Sequence, residues 1–484
     1  MTRPRRTWIG AISVLATAAL LASCGSQADQ QAPPTTATSP SPAVSSAASG
    51  TPTTVSSSSA ATALTPTAEP PSAPPPTTPP AATQAAPAAA PAQPVAPGGL
   101  VTDADIAKAT AAVAAMSVPD QAGMVVMANS AQAVGTDLVE RLHLGGVILM
   151  GSKGAIDGTE SGTPEEVLAV TQQLQSQVPV SQTGAPLLIA TDQEYGLVIR
   201  MVNGFTNFPG ATELSAIADT DAAAAATQKV TAAAGAELLA VGINVDFAPD
   251  ADVLPRVGES NMDGRSFGTD PTRNGQLVAA AVRGYQTAGV AATLKHFPGI
   301  GRLAADTHKS LPSLDVTCDE WNAVEAVPMQ AGVDAGVALV MTGHVLIPAV
   351  SDTDLPSSIS SAVVNELLRG TGTAGCEGLN FTGVTISDSF EMAPISQSYT
   401  PGEAAWRALV AGQDLVLMPT DPEEAVAGII AAAGDGSLPA EVLKQAAIRV
   451  YALRLALARA LQPGLGVVGS PEHEAIAADA RAAG

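Results

Sequence analysis

The densest concentration of chemistry-bearing side chains in this sequence is Lys295-His296-Phe297-Pro298-Gly299-Ile300-Gly301-Arg302-Leu303-Ala304-Ala305-Asp306-Thr307-His308. Two imidazoles, which exchange protons near neutral pH, sit here with a carboxylate and two cations. They follow an apolar run, Val290 to Leu294, that reads as a buried strand, and Pro298, Gly299 and Gly301 then open a loop. One histidine or lysine at such a place is ordinary loop chemistry. The whole cluster reads as a site.

Something must position these groups, and the rest of the chain supplies a pattern. Eight short apolar runs recur after Leu100: Met124 to Ala128, Gly146 to Met150, Leu187 to Thr191, Ile243 to Phe247, Ala291 to Lys295, Ala338 to Met341, Val384 to Ser387 and Leu415 to Met418. Between them lie alanine-rich stretches with apolar residues at three- and four-residue spacing, clearest in Ala223 to Val241, Asn274 to Ala288, Trp321 to Ala335 and Ala440 to Leu461. Alternating buried strands and helices make a parallel sheet, and eight such units predict a closed α/β fold, the (β/α)8 or TIM barrel. An open doubly wound sheet is the alternative, but no Gly-x-Gly-x-x-Gly fingerprint marks a dinucleotide site. In a barrel the functional groups stand just past the carboxyl ends of the strands. That rule selects Asp192, Asp250, Asp252, Lys295, His296, His344 and Asp388.

The termini and composition bound the setting. Arg3, Arg5 and Arg6 precede an apolar run from Trp8 to Ala22 and then Leu21-Ala22-Ser23-Cys24-Gly25, the layout of a signal peptide with cysteine at the cleavage point. The run is shorter than the ~20 residues of a spanning helix. It resembles a lipobox, which implies acylation of Cys24 and attachment to the outer face of a membrane. Residues 24–99 are nearly all Ala, Pro, Ser, Thr and Gln, with 17 of the 38 prolines between Ser26 and Gly99, and are expected to be a disordered tether. The expected division is a signal peptide over 1–23, the tether over 24–99, one catalytic barrel over 100–462 and a tail over 463–484. A net charge of −23 argues against nucleic acid as a partner. Besides Cys24 only Cys318 and Cys376 occur. In an oxidising compartment they could pair or stay free, and neither has metal-ligand spacing, so no structural zinc is expected.

The Lys-His-Phe-Pro-Gly loop resembles that of glycoside hydrolase family 3, in its single-barrel β-N-acetylhexosaminidase branch. Gly145-Gly146-Val147-Ile148-Leu149, Thr191-Asp192-Gln193-Glu194 with Arg200, Asn244-Val245-Asp246-Phe247-Ala248-Pro249, Gly264-Arg265-Ser266-Phe267-Gly268, Met341-Thr342-Gly343-His344 and Ile386-Ser387-Asp388 are similar to the family's motifs, in its order, over roughly Ile106 to Leu461. The resemblance implies Asp388 as nucleophile and Asp306 with His308 as an acid–base dyad. It implies Asp192, Arg200, Arg265, Lys295 and His296 as sugar-binding groups, Asp192 and Arg200 being close enough in sequence to form a structural ion pair instead. It implies no metal or organic cofactor.

The chain departs from the family at Ile300, Arg302 and Tyr195, where relatives carry a second His, an acidic residue and a Gly. These changes put the leaving-group side in question. The function expected from the resemblance is retaining exo-β-N-acetylglucosaminidase action on muropeptides or other wall-derived glycans. β-Glucosidase or phosphorolytic action, and a silent sugar-binding lipoprotein, are the alternatives.

Overall fold

The computed structural model describes residues 99–484, apart from 153, 180, 181, 183, 352, 353 and 374. The signal peptide, Cys24 and the tether lie outside the described residues. Eight parallel strands form the centre: β1 Val126–Asn129, β2 Gly146–Ile148, β3 Leu188–Thr191, β4 Val245–Asp246, β5 Ala291–Phe297, β6 Leu339–Thr342, β7 Val384–Ser387 and β8 Val416–Leu417. They run in the order β7-β6-β5-β4-β3-β2-β1-β8. The ring closes where Ile386 pairs with Leu415, Ser387 N–H donating to Leu415 O at 3.1 Å and Leu415 N–H to Thr385 O at 3.0 Å. Every strand residue but Asn129 is buried. This is why the strands read as continuous apolar runs: helices outside and packed side chains inside leave neither face to water.

The helices start where caps permit. Asp270 accepts from Thr272 N and Arg273 N, and Pro271 follows at the first helical position, so the helix Pro271–Thr287 begins three residues before its apolar pattern does. Asp219 caps Thr220–Ala240 in the same way, three residues ahead of Ala223. These two helices touch closely: a Cβ on Gly284 would lie 1.9 Å from Thr231 Oγ1, so glycine sets their separation. The expected helix Trp321 to Ala335 is two pieces, Cys318–Ala323 and Ala326–Asp334, with Val324 out of helical geometry at φ −126° and ψ −73°. Pro328 explains the break, because it has no N–H to offer the Val324 carbonyl and its ring collides with that group. Ala440 begins the last barrel helix as expected, but it ends at Leu457, short of Leu461.

Three further features depart from or complete the expectation. The 463–484 tail contains a helix, Pro471–Ala483, anchored where buried Glu237 accepts from His473 Nδ1 at 2.8 Å, from Gly469 N at 3.1 Å and from Thr206 Oγ1 at 2.6 Å. Cys318 and Cys376 are joined in a disulfide with a Cα–Cα distance of 4.5 Å, resolving a pairing that sequence left open. No helix among the described residues is long and apolar enough to cross a membrane.

Candidate active site

Strand β5 does not stop at Leu294. It continues through Lys295, the end of the expected run, and on through His296 and Phe297, all buried, so the first two groups of the cluster project from a rigid strand. Lys295 Nζ lies 2.9 Å from Asp192 Oδ1 and 2.6 Å from Glu194 Oε1. Arg265 grips Glu194 through both ends of its fork, at 2.9 and 2.8 Å. Arg200 Nη2 reaches Asp192 Oδ2 at 3.4 Å, and its Nη1 donates to Gly151 O at 3.0 Å, tying the segments after β2 and β3 together. The five residues assigned to sugar binding, Asp192, Arg200, Arg265, Lys295 and His296, therefore meet in one network. Its hub is Glu194, which motif reading passed over. The signal was available, since Glu194 stands two residues beyond Asp192 in the same turn.

Electrostatics inside the network follow from burial working against paired charge. Burial raises the Glu194 carboxyl, but Lys295 and Arg265 overcome it and bring it down to about 2. Burial lowers Lys295, yet Asp192 and Glu194 hold its ammonium raised. Asp192 is likewise held low by Lys295 against its desolvation. Such a floor offers aligned charged donors and acceptors to sugar hydroxyls, and the charge-assisted bonds they make are the strong ones.

His296 is fixed on both sides. Its Nδ1 lies 2.8 Å from Asp252 Oδ2 and its Nε2 3.4 Å from Arg265 Nη2. A guanidinium can only donate, so Nε2 is the acceptor and the ring proton sits on Nδ1, facing Asp252. Asp252 also accepts from Ile300 N at 2.6 Å, and Asp250 Oδ1 accepts from Asp252 N at 2.8 Å. Asp250, Asp252 and His296 bring potential ligand atoms within 4.8 Å of one another. His296 Nδ1 and Asp252 Oδ2 are committed to each other and Arg265 stands 3.7 Å from Asp250 Oδ2, so the trio is a poor seat for a cation.

Across the mouth, Asp388 follows β7. Its backbone N–H donates to Thr342 O at 2.8 Å and its Oδ1 accepts from Ser389 N at 2.8 Å. It caps no helix, since the next one begins at Ala393 with Met392 as its N-cap residue. Among the described residues it has no ion-pair partner, and it is partly open to solvent. His344 sits beneath, fully buried, with Nδ1 2.8 Å from Ser358 Oγ and Nε2 2.9 Å from Ser389 O. Burial lowers its pKa, while the nearby Asp388 and the bond to Ser389 O work in the opposite direction. It holds the segment that carries Asp388.

Asp306 and His308, the dyad implied by the family resemblance, are hydrogen-bonded, with Asp306 Oδ1 2.9 Å from His308 Nδ1 and 3.0 Å from His308 N. Lys309 Nζ takes the other oxygen at 2.8 Å, and this ammonium with the His308 N–H lowers the Asp306 carboxyl to about 2. The imidazole is exposed, and His308 O accepts from Ala393 N at 3.0 Å, five residues past Asp388. The dyad loop is thus clasped to the Asp388 segment.

Sequence comparison matches residues 114–453 to the Glycosyl hydrolase family 3 N terminal domain. The chain belongs to glycosyl hydrolase family 3. It is similar to Beta-hexosaminidase A of Pseudoalteromonas piscicida, 30% identical over 368 residues, covering 71% of this chain and 59% of that protein. Among solved structures, the family 3 β-N-acetylglucosaminidase of Paenibacillus sp. FPU-7 aligns with a TM-score of 0.66 at 33% identity, over 76% of this chain and 68% of that one. The β-N-acetylhexosaminidase of Beutenbergia cavernae aligns with a TM-score of 0.61 at 31% identity, over 70% of this chain and 98% of that one. The chain spans about three fifths of the length of the first curated relatives it matches.

The departures of this family 3 barrel have structural roles. Ile300 is buried and offers its backbone N–H to Asp252. Arg302 pairs with buried Glu325, fastening the dyad loop to the chain before Ala326. Tyr195 holds a left-handed backbone, φ 63°, where glycine would be unstrained, and its ring meets Phe208 edge-on with centroids 5.4 Å apart.

Proposed function

We propose that this protein is a retaining exo-β-N-acetylglucosaminidase that removes terminal N-acetylglucosamine from muropeptides or related wall fragments. One observation carries the reading: a histidine paired through Nδ1 with Asp306 stands on a loop bonded to the segment of a partly exposed, ion-pair-free Asp388. An Asp388 oxygen attacks C1 of the sugar as the C1–O bond to the aglycone breaks, and His308 Nε2 gives its proton to the departing oxygen. Water then attacks C1 of the glycosyl ester, His308 takes the water's proton, and Asp388 leaves as carboxylate. Asp306 holds the ring's Nδ1 proton and stabilises the imidazolium that donates in the first step and forms again in the second. The buried network around Glu194 holds the terminal sugar.

The names of the similar proteins support N-acetylglucosamine as the sugar. One of them, from Cellulomonas fimi, is named Beta-N-acetylglucosaminidase/beta-glucosidase, so a glucoside is the second substrate to test. Once it has given up its proton, His308 is a neutral imidazole, which does not repel phosphate as a carboxylate would. The deciding experiment measures p-nitrophenol release from the β-N-acetylglucosaminide and the β-glucoside, with and without phosphate. The proposal expects preference for the former and no stimulation by phosphate; preference for the glucoside, or phosphate-dependent turnover, would replace it. Acylation of Cys24 would place the barrel on the outer face of the membrane, tethered by 24–99.

A further inference from the structure

The floor of the site has more carboxyl groups than its cations can neutralise. Asp192, Glu194, Asp246, Asp250 and Asp252 share it with three permanent cations, Lys295, Arg200 and Arg265, and the hydrogen bonds of His296 are those of the neutral ring. Two negative charges would be left over in a buried space, where an unpaired charge is costly. The two carboxyls able to be neutral identify themselves: Asp246 Oδ2 and Asp250 Oδ2 are buried without a hydrogen-bond partner. The other oxygen of Asp246 accepts from Gln193 N at 2.9 Å. Asp250 is the one beside a working residue, with Arg265 Nε 3.7 Å from its unpartnered oxygen while that same nitrogen bonds Glu194 at 2.9 Å.

We propose that Asp250 works in its neutral form, as the positioning residue that leaves Arg265 committed to Glu194, and that ionisation of Asp250 draws Arg265 away and weakens sugar binding. The inference rests on reading this floor as the sugar site. A neutral Asp250 cannot compete for the guanidinium, so Arg265 keeps its two-pronged grip. An ionised Asp250 faces Asp252 on its own loop, Glu194 from the β3 turn, Lys295 and His296 on β5, and Arg265. Arg265 is the cation whose nitrogen stands within 3.7 Å of the Asp250 carboxylate and would be drawn to it. Burial, reinforced by the Asp252 charge, pushes the Asp250 carboxyl up to about 8, which puts the change within reach of experiment.

The test measures the dissociation constant of N-acetylglucosamine by calorimetry from pH 7.5 to 9.5 on the intact barrel, with Asp250→Asn beside the wild type. If only the neutral form binds, wild-type affinity falls on the order of 20-fold across this range, and the Asp250→Asn ratio stays near one. Infrared spectroscopy of the unliganded wild type should show a protonated carboxyl band that fades over the same range and is reduced in Asp250→Asn. A flat wild-type profile, or the same loss in both proteins, would overturn the proposal, and so would a band insensitive to pH. Absence of N-acetylglucosamine binding at every pH, with the band titrating, would instead remove the assigned sugar.

Discussion

Glu194→Gln is the perturbation that probes the buried network most sharply, because one nearly isosteric change strips the partner charge from two cations. Glu194 Oε1 lies 2.6 Å from Lys295 Nζ, and Arg265 reaches both of its oxygens, with the Glu194 side chain only 4% exposed. Holding the carboxyl near 2 in place of 4.5 corresponds to about 3 kcal/mol. Breaking a buried pair from one side costs about 3–5 kcal/mol by comparison with measured cases. Part of that cost can be relieved. With Glu194 neutral, Asp250 is free to ionise and take over Arg265, so the single variant should lose about 2–3 kcal/mol in urea unfolding at pH 7. Glu194→Gln with Asp250→Asn should lose more than the two singles added together. The linkage sign follows from the lowered carboxyl: its contribution is complete above about 4.5 and is lost as pH falls through about 2. The gap between wild type and variant should therefore narrow across that window. A loss under about 0.5 kcal/mol at pH 7, or a gap that widens on acidification, would refute the reasoning.

Three other outcomes can be measured alongside. Replacing both Cys318 and Cys376 by Ala opens a 58-residue separation and should cost up to about 4 kcal/mol, read as a lowered unfolding midpoint without change in KM. His473→Ala leaves the buried Glu237 short of a partner and should cost about 1–3 kcal/mol and expose the C-terminal helix to hydrogen exchange before the barrel opens. Cys24→Ser should release the protein from the membrane fraction with the barrel's activity intact; unchanged partitioning would count against lipid attachment.

The barrel was legible because its strands are covered on both faces, which turns each into a short apolar run whose end marks the mouth. His296 and Phe297 were the exception. They lie past the run that ends at Lys295, and only pairing with the neighbouring strand shows that β5 carries them. Pro328 signalled the helix break in plain sight, but the apolar spacing across it was followed instead. Asp306 and His308 were picked out by the resemblance to the family's Asp-x-His pair, and their two-residue separation lets the carboxylate reach the imidazole. Glu194 and Glu237 were not assigned roles because what defines them is burial beside partners distant in sequence: Arg265 is 71 residues from Glu194, and His473 is 236 from Glu237. No local pattern encodes such pairs.

The central claim is that Asp388 forms a glycosyl ester whose hydrolysis needs His308. The most direct measurement reacts His308→Ala with p-nitrophenyl β-N-acetylglucosaminide and follows both aryl release and the mass of the peptide bearing Asp388. An activated leaving group needs little protonation, whereas the water step lacks its base, so the ester should accumulate. The predicted result is a burst of about one equivalent of p-nitrophenol per protein and a gain of one N-acetylglucosaminyl group on that peptide. No burst and an unmodified peptide, with equal loss of rate on activated and unactivated glycosides, would contradict it.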